Sequence, residues 1–359
     1  MFSIYQKYLA IKFFKKLISI SIIFISLIFI LNTLEEISFL KYSDKNFLFP
    51  YFLSLLNAPM TLFEIFPFIF LLSGQFLIYE IHNNNELDLL KQNSLSNLKI
   101  VKLLFFIALI IGIFNVTIVY NFSSFLKFHY SNIKNEISKD NKYLAMVLET
   151  GIWIKDEINN KKLIINSVGI KDDFLLDTTI NEFDNEFNLL QTIQVKKINI
   201  KNNVWLLYDP LSNKENTATT IYDKIEYPTN FNKKRINSLF SNVSTLDIFK
   251  LFNMKKEFDK LGYSTDEIII HLLTLFFTPL VYGFMTIISA LLVINFNKNK
   301  SFLFNIVVGI AISVIIYYIN FLFSSLGSSS KIPVFVSVLF PLGIIGILST
   351  IGLMQINDN

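Results

Sequence analysis

Few residues in this chain combine a type and a spacing that could do chemistry. Metalloprotease, phosphate-loop and nucleophile-elbow patterns are absent from the sequence. It contains no cysteine, which excludes disulfides, thiolate metal sites, iron–sulfur clusters and a cysteine nucleophile. The three histidines, His82, His129 and His271, stand far apart, so a histidine-rich metal centre is not expected. What remains are single ionisable groups in apolar surroundings. Glu64 is the one acidic residue deep inside an apolar stretch, and His271 sits in the first turn of another. Such groups are functional candidates, because leaving a charge in lipid is expensive. The plainer reading of Glu64, five residues after Pro59, is that it faces a wet cavity or snorkels toward the outer surface. His271 reads most simply as an interfacial anchor.

The segment Tyr79–Lys99 is more informative. Asn85 can cap a short helix that begins near Glu86. Leu87 and Leu90 would then share one face, with Glu86, Asp88 and Lys91 exposed. A short helix lying across the ends of two spans suits a docking knob for a partner, and equally an interfacial connector.

The elements that must position these residues follow from composition. Of 359 residues, 52% are apolar and 17% charged, well under the roughly 25% charge of soluble proteins. The chain therefore reads as a membrane protein. A net charge of +4 gives no nucleic-acid signature. A span needs about 20 mostly apolar residues, and six segments qualify: Leu17–Leu34, a span within Phe47–Ile81, Leu103–Phe122, Ile268–Ile294, Phe302–Leu326 and Ile332–Met354. Pro50, Pro59 and Pro67 punctuate the second, which predicts an interfacial stretch followed by a span from about Pro59. The first segment lacks a small-residue cleavage site and is longer than the apolar core of a signal peptide.

Lysines in the short loops set an orientation. Lys7, Lys12, Lys15 and Lys16 in the N-terminal tail, Lys91, Lys99 and Lys102 after the second span, and Lys298 and Lys300 after the fourth lie on one side. Both termini are thus expected in the cytoplasm. Residues 127–263 then lie outside, enough for one domain with its own core. Short β-rich runs fill it: Gly151–Lys155, Lys162–Asn166, Leu175–Phe183, Leu189–Ile200 and Val204–Tyr208, with turns at Asp184-Asn185 and Lys201–Asn203. They predict an antiparallel sandwich or jellyroll. An amphipathic helix follows, opened by Ser244-x-x-Asp247 and closed by Gly262, and Ser264-x-x-Glu267 opens the fourth span. The expected architecture is an α-helical membrane protein with six transmembrane helices and an inserted extracytoplasmic β-jellyroll domain. It divides into 1–126 (helices one to three, with a short helix near 85–97), 127–263 (β-domain and amphipathic helix) and 264–359 (helices four to six).

At this point the sequence resembles the LptF/LptG permease family of the lipopolysaccharide export ABC transporter. Ala58-Pro59, Phe66-Pro67, Gly74 and Asn85-Glu86-Leu87 are similar to the family's second span and coupling helix. Thr150-Gly151-Ile152-Trp153-Ile154-Lys155-Asp156 resembles the strand that opens its β-domain, and Asn203-Val204-Trp205 a later one. Lys260-Leu261-Gly262-Tyr263 with Pro279 resembles the entry to the fourth span, and Gly309, Gly327, Pro333 and Pro341 the closing helices. The Trp153 strand and the Lys260-Leu261-Gly262 helix end are closer to LptG than to LptF.

The resemblance implies a permease subunit, not an enzyme, in the bacterial inner membrane. A paralogous LptF-like permease would pair with it. ATP and magnesium would be bound by an LptB-like ATPase dimer, with no cofactor in this chain. Glu86, Leu87 and Leu90 on the coupling helix would carry the ATPase's motion upward, Glu86 meeting a basic residue there. Lipopolysaccharide would pass to the β-domain and on to LptC-like and LptA-like jellyroll proteins, toward outer-membrane biogenesis. LptG members often place basic residues at the outer end of span one. Here that stretch reads Leu31-Asn32-Thr33-Leu34-Glu35-Glu36, with the first lysine at Lys41. The candidate lipid contacts are Asn32, Lys41, Lys45 and Glu64.

Two other function classes compete. A membrane-anchored extracytoplasmic binding or sensor protein would need a cytoplasmic output domain, and the cytoplasmic pieces are short. A membrane enzyme would need a convergent polar cluster, which the sequence does not contain.

Overall fold

In a computed structural model, the structure describes residues 3–41, 46–92, 95–137, 152–158, 161–171, 173–214, 220–221, 223–233, 236, 242–261, 263–294 and 302–357. The chain forms two compact units, Met1–Lys127 with Asp266–Asn359, and Phe128–Thr265. Lys45, Gly151, Gly262, Lys298 and Lys300, each used in the sequence reading, lie outside the described residues.

Among the described residues, six helices are long and apolar enough to cross a membrane. Helix α1 is Ile4–Phe39, α2 Phe49–Asn83, the short α3 Glu86–Gln92 and α4 Asn97–Phe114. A π-helical stretch, Asn115–Tyr120, continues α4 into α5, Asn121–Ile137, so the third span is one long rod. With its 36 residues α1 is about 54 Å long, far more than the hydrocarbon thickness. It therefore carries Tyr8, Lys12 and Lys16 on a helical extension of the span. Ser3 and Gln6 form the capping box that starts it.

The prolines expected to punctuate the second span do not break it. Helix α2 runs unbroken through Pro59 and Pro67. It is the most enclosed of the six candidate spans, packed by α1, by the fourth and by the fifth. Neighbouring helices can hold a proline-containing span together where an isolated helix would break.

The fourth, fifth and sixth spans are Asp266–Ile294, Phe302–Ser328 and Val334–Asn357. With α6 (Ile248–Leu261) in the second unit, they are α7, α8 and α9. Helix α7 has Asp266 and Glu267 in its first turn, where the helix dipole favours them. In a membrane, helices associate through close packing more than through apolar burial. Gly112 on α4 shows why: a Cβ there would lie 2.7 Å from Pro279 Cα on α7. Nearby, Phe70 of α2 stacks on Tyr282 of α7 with centroids 4.4 Å apart.

Among its described residues, the second unit holds one antiparallel sheet, a half-barrel of eight strands. They are β1 Ile152–Ile158, β2 Lys161–Lys171, β3 Phe174–Phe183, β4 Leu189–Asn199, β5 Val204–Tyr208, β6 Leu211–Lys214, β7 Thr220–Ile221 and β8 Lys224–Pro228. The path is β1-β2-β3-β4-β5-β8, with β6 on the same β4 edge as β5 and β7 beside β6. Alternation puts Ile154, Ile165, Ile180, Ile193 and Trp205 on the buried face. Trp205 is fully buried, and its indole N–H donates to the Phe231 carbonyl at 2.7 Å. Trp153 lies on the opposite face, 51% exposed. Ser244 does not cap α6. It belongs to a short 3₁₀ turn, and Asp247 caps instead, accepting from the Lys250 amide at 2.9 Å.

Candidate functional site

Helix α3 is set by a two-residue turn. Asn84 and Asn85 separate it from α2, and Asn85 takes a left-handed φ of 57°, a conformation asparagine tolerates better than most residues. The reversal tucks Leu87 into the protein and leaves Leu89 58% exposed. Leu90 is half-buried, and its carbonyl accepts from the Leu95 amide at 3.1 Å.

Glu86 does not project into solvent as the pattern suggested. Its carboxylate is turned back onto α1. Lys12 Nζ donates to both oxygens, at 2.7 and 2.8 Å, and the Tyr8 hydroxyl donates to Oε2 at 2.8 Å. Asn84 Nδ2 adds a longer contact of 3.3 Å. Lys12 also pairs with Glu80 of α2 at 3.2 Å, and Lys16 pairs with the other oxygen of Glu80. Two lysines and two glutamates thus join α1, α2 and α3 in one charge-balanced network. Burial disfavours the Glu86 carboxylate, but the hydrogen bonds from Lys12, Tyr8 and Asn84 and the Lys12 charge outweigh it and hold the group below the usual glutamate range. The side chains of Lys12 and Glu86 are only 19% and 22% exposed, so salt screens this pair less than an open surface pair.

The other candidates lie elsewhere. Asn32, 20 residues along α1 from Lys12, is about 30 Å away along the helix axis. It is half-buried, and its Nδ2 has no hydrogen-bond partner among the described residues. Next to it Thr33 bonds to Ser54 of α2 at 3.1 Å. Lys41 is exposed just past the end of α1. Glu64 pairs with Lys127 at 3.3 Å, with its side chain 46% exposed. His271 is half-buried against Tyr120, Nε2 to hydroxyl 2.8 Å. The structure therefore does not gather Glu86, Asn32 and Glu64 into one site.

Sequence reasoning missed Tyr8, Lys12, Lys16 and Glu80 as partners of Glu86. Their signal was present: positions 8, 12 and 16 repeat every fourth residue and share a helix face. The lysines had been used only for orientation.

In the β-domain Asp156 and Glu182 are buried carboxylates. Asp156 accepts from Thr229 Oγ1 (2.8 Å), Asn230 N (3.0 Å) and Asn230 Nδ2 (2.8 Å). Glu182 accepts from Tyr227 (2.7 Å) and Lys161 (2.9 Å). Burial opposes its charge, yet these bonds hold it below the usual range, while burial and Glu182 push the Tyr227 hydroxyl up. Among the described residues these bonds join β1 to the segment just beyond β8 through Asp156, and β2, β3 and β8 through Glu182, so the two carboxylates organise the domain.

A family model described as lipopolysaccharide export system permease LptF/LptG matches residues 7–355. No curated protein matches the chain.

Proposed function

Because the chain belongs to the LptF/LptG family of lipopolysaccharide export permeases, we propose that it is the LptG-like half of a permease pair, driven by an LptB-like ATPase dimer docked at α3. Family membership makes it an inner-membrane transporter subunit and places it in lipopolysaccharide export. The further assignments are our reading. Both termini and α3 face the cytoplasm, on the lysine distribution, and the β-domain is periplasmic. Lipid leaves the membrane along α1 and α8, whose apolar faces are largely exposed. It then passes through the β-domain to LptC-like and LptA-like sheets by edge-to-edge strand pairing. ATP and magnesium are held by the ATPase.

The observation that carries the ATPase assignment is α3 itself, a short helix tied to α1 and α2 with Leu89 exposed. The experiment is reconstitution of the chain with a paralogous permease and ATPase in nanodiscs containing lipopolysaccharide. ATP should drive release of the lipid to an acceptor jellyroll protein, with photo-crosslinks to lipid from exposed positions of α1 and α8 such as Ile30 and Tyr317. An unmutated chain that assembles with no ATPase would overturn the proposal.

A further inference from the structure

Helix α6 buries one stripe of side chains and exposes another. Leu251 and Met254 are buried and Phe258 is half-buried, a spacing of three and then four residues along one side. Phe258 packs on Tyr263, whose hydroxyl accepts from the Lys155 amide of β1 at 2.7 Å, so this stripe is turned toward the sheet. Phe249, Phe252 and Lys256 repeat the same spacing on nearly the opposite side. There Phe249 is 78% exposed and Phe252 51%, and Lys256 is exposed with them. The packing of the domain makes no use of this second stripe.

Two attachments limit where the outer stripe can lie. Near the start of α6, Lys250 Nζ sits 5.7 Å from the centre of the Phe128 ring on α5. Phe128 belongs to the continuous helix Asn97–Lys134 that forms the third candidate span. One turn before it, Phe125 is exposed, as is Phe122. At the other end of α6, only residues 262–265 separate Leu261 from Asp266, where the fourth span begins. Helix α6 is therefore attached to two spans at the side of the membrane on which both emerge. Lys250 and Lys255 are offset by Asp247 and Asp259, at 2.9 and 2.8 Å, which leaves Lys256 to set the charge of the outer stripe. Aromatic rings beside a lysine suit the boundary between headgroups and acyl chains, where rings bury and the ammonium reaches phosphate.

We infer that α6 is an interfacial helix: Phe249 and Phe252 insert into the phospholipid leaflet beside spans three and four, and Lys256 meets its phosphates. The occupant of the stripe is the leaflet itself. On the export reading above, this ties the β-domain to the surface that departing lipid must cross.

The cysteine-free chain allows a direct test. Nitroxide labels are placed singly at Phe249→Cys, Phe252→Cys and Glu257→Cys in the full chain, in bilayers of phosphatidylethanolamine and phosphatidylglycerol. Power saturation compares collisions with oxygen and with a water-soluble nickel chelate. The oxygen-to-nickel ratio should be several-fold higher at 249 and 252 than at 257, an exposed position on the flank, and should correspond to a depth of about 5–10 Å. Phe249→Ser should lower the ratio at label 252 while leaving thermal unfolding in detergent unchanged, because the ring is exposed. Lys256→Glu should lower it too, and less so in phosphatidylcholine, which has no net charge.

Labels at 249 and 252 that favour nickel would overturn the inference, since the stripe would then face water. Low collision with both reagents would overturn it equally, since a second copy or another protein would then cover the stripe. The depth signature does not depend on transport. A chain that shows it yet exports no lipid refutes the export reading alone, and an exporting chain without it refutes the interfacial helix.

Discussion

Asp156 on β1 and Asn230, just beyond β8, are joined by two hydrogen bonds, from the Asn230 amide at 3.0 Å and from its side-chain nitrogen at 2.8 Å. β1 and β8 are the two ends of the main sheet path. One carboxylate therefore connects strands that share no ladder. Asp156→Ala would leave the buried Thr229 hydroxyl without this acceptor, while the exposed Asn230 keeps the Glu157 carbonyl as a partner for Nδ2. Loss of the buried bond costs about 2 kcal/mol. Thermal unfolding or limited proteolysis of the β-domain should show this destabilisation, with Asp156→Asn intermediate.

The Glu182–Tyr227–Lys161 cluster sets a pH window. The Glu182 value is lowered from its ordinary 4.5, so its contribution is complete above that pH and is lost as pH falls through the folded-state value. Tyr227 is raised from 10.0, so its contribution is complete below pH 10 and is lost only as pH rises through the higher folded-state value. Stability of the β-domain should be flat with respect to this pair between these limits. Tyr227→Phe should move the acid-unfolding midpoint to higher pH, because Glu182 loses one of its donors. An unmoved midpoint in a circular-dichroism titration would count against the pairing.

The two tryptophans should differ in every optical measurement. Trp205 should emit at shorter wavelength and resist acrylamide, whereas Trp153 should be quenched readily. Trp205→Ala should cost about 4 kcal/mol through cavity formation and the lost bond to Phe231. Trp153→Ala should stay within about 0.5 kcal/mol.

Glycine substitutions in the helices should sort by available space. Gly112→Val places atoms against Pro279 and Tyr282, both on α7, and should lower the melting temperature in detergent markedly. Gly343→Ala meets nothing within 4 Å and should be neutral.

Much of the fold was legible because its signals are periodic. Long apolar runs marked the spans, and β-rich runs such as Gly151–Lys155 and Leu189–Ile200 marked the strands. The strands β6 to β8 were missed because they are short and polar: Leu211–Lys214 shows one buried position and Thr220–Ile221 is a single pair. Pro59 and Pro67 misled because propensity describes a helix alone, and α2 is enclosed by neighbours. In the candidate site, Glu86 was readable from its place after Asn85. The partners Tyr8 and Lys12 were not, since nothing local shows that a turn at Asn84-Asn85 folds α3 back onto α1. Lysines also carry the orientation signal, which concealed a second use of the same residues.

The π-helical stretch at Asn115–Tyr120 acts as a phase corrector. In a regular α-helix, eight residues advance the facing direction by about 80° beyond whole turns. Gly112 and Tyr120 are eight apart, yet both meet α7, at Pro279 and at His271, themselves eight apart. The wider turn absorbs one residue and takes back roughly 100° of rotation, so that both ends of the rod address the same neighbour. The length of this stretch is therefore as much a part of the code as its residue types. Removing one residue there would turn Tyr120 at the end of the stretch, and α5 with Lys127 beyond it, away from their partners.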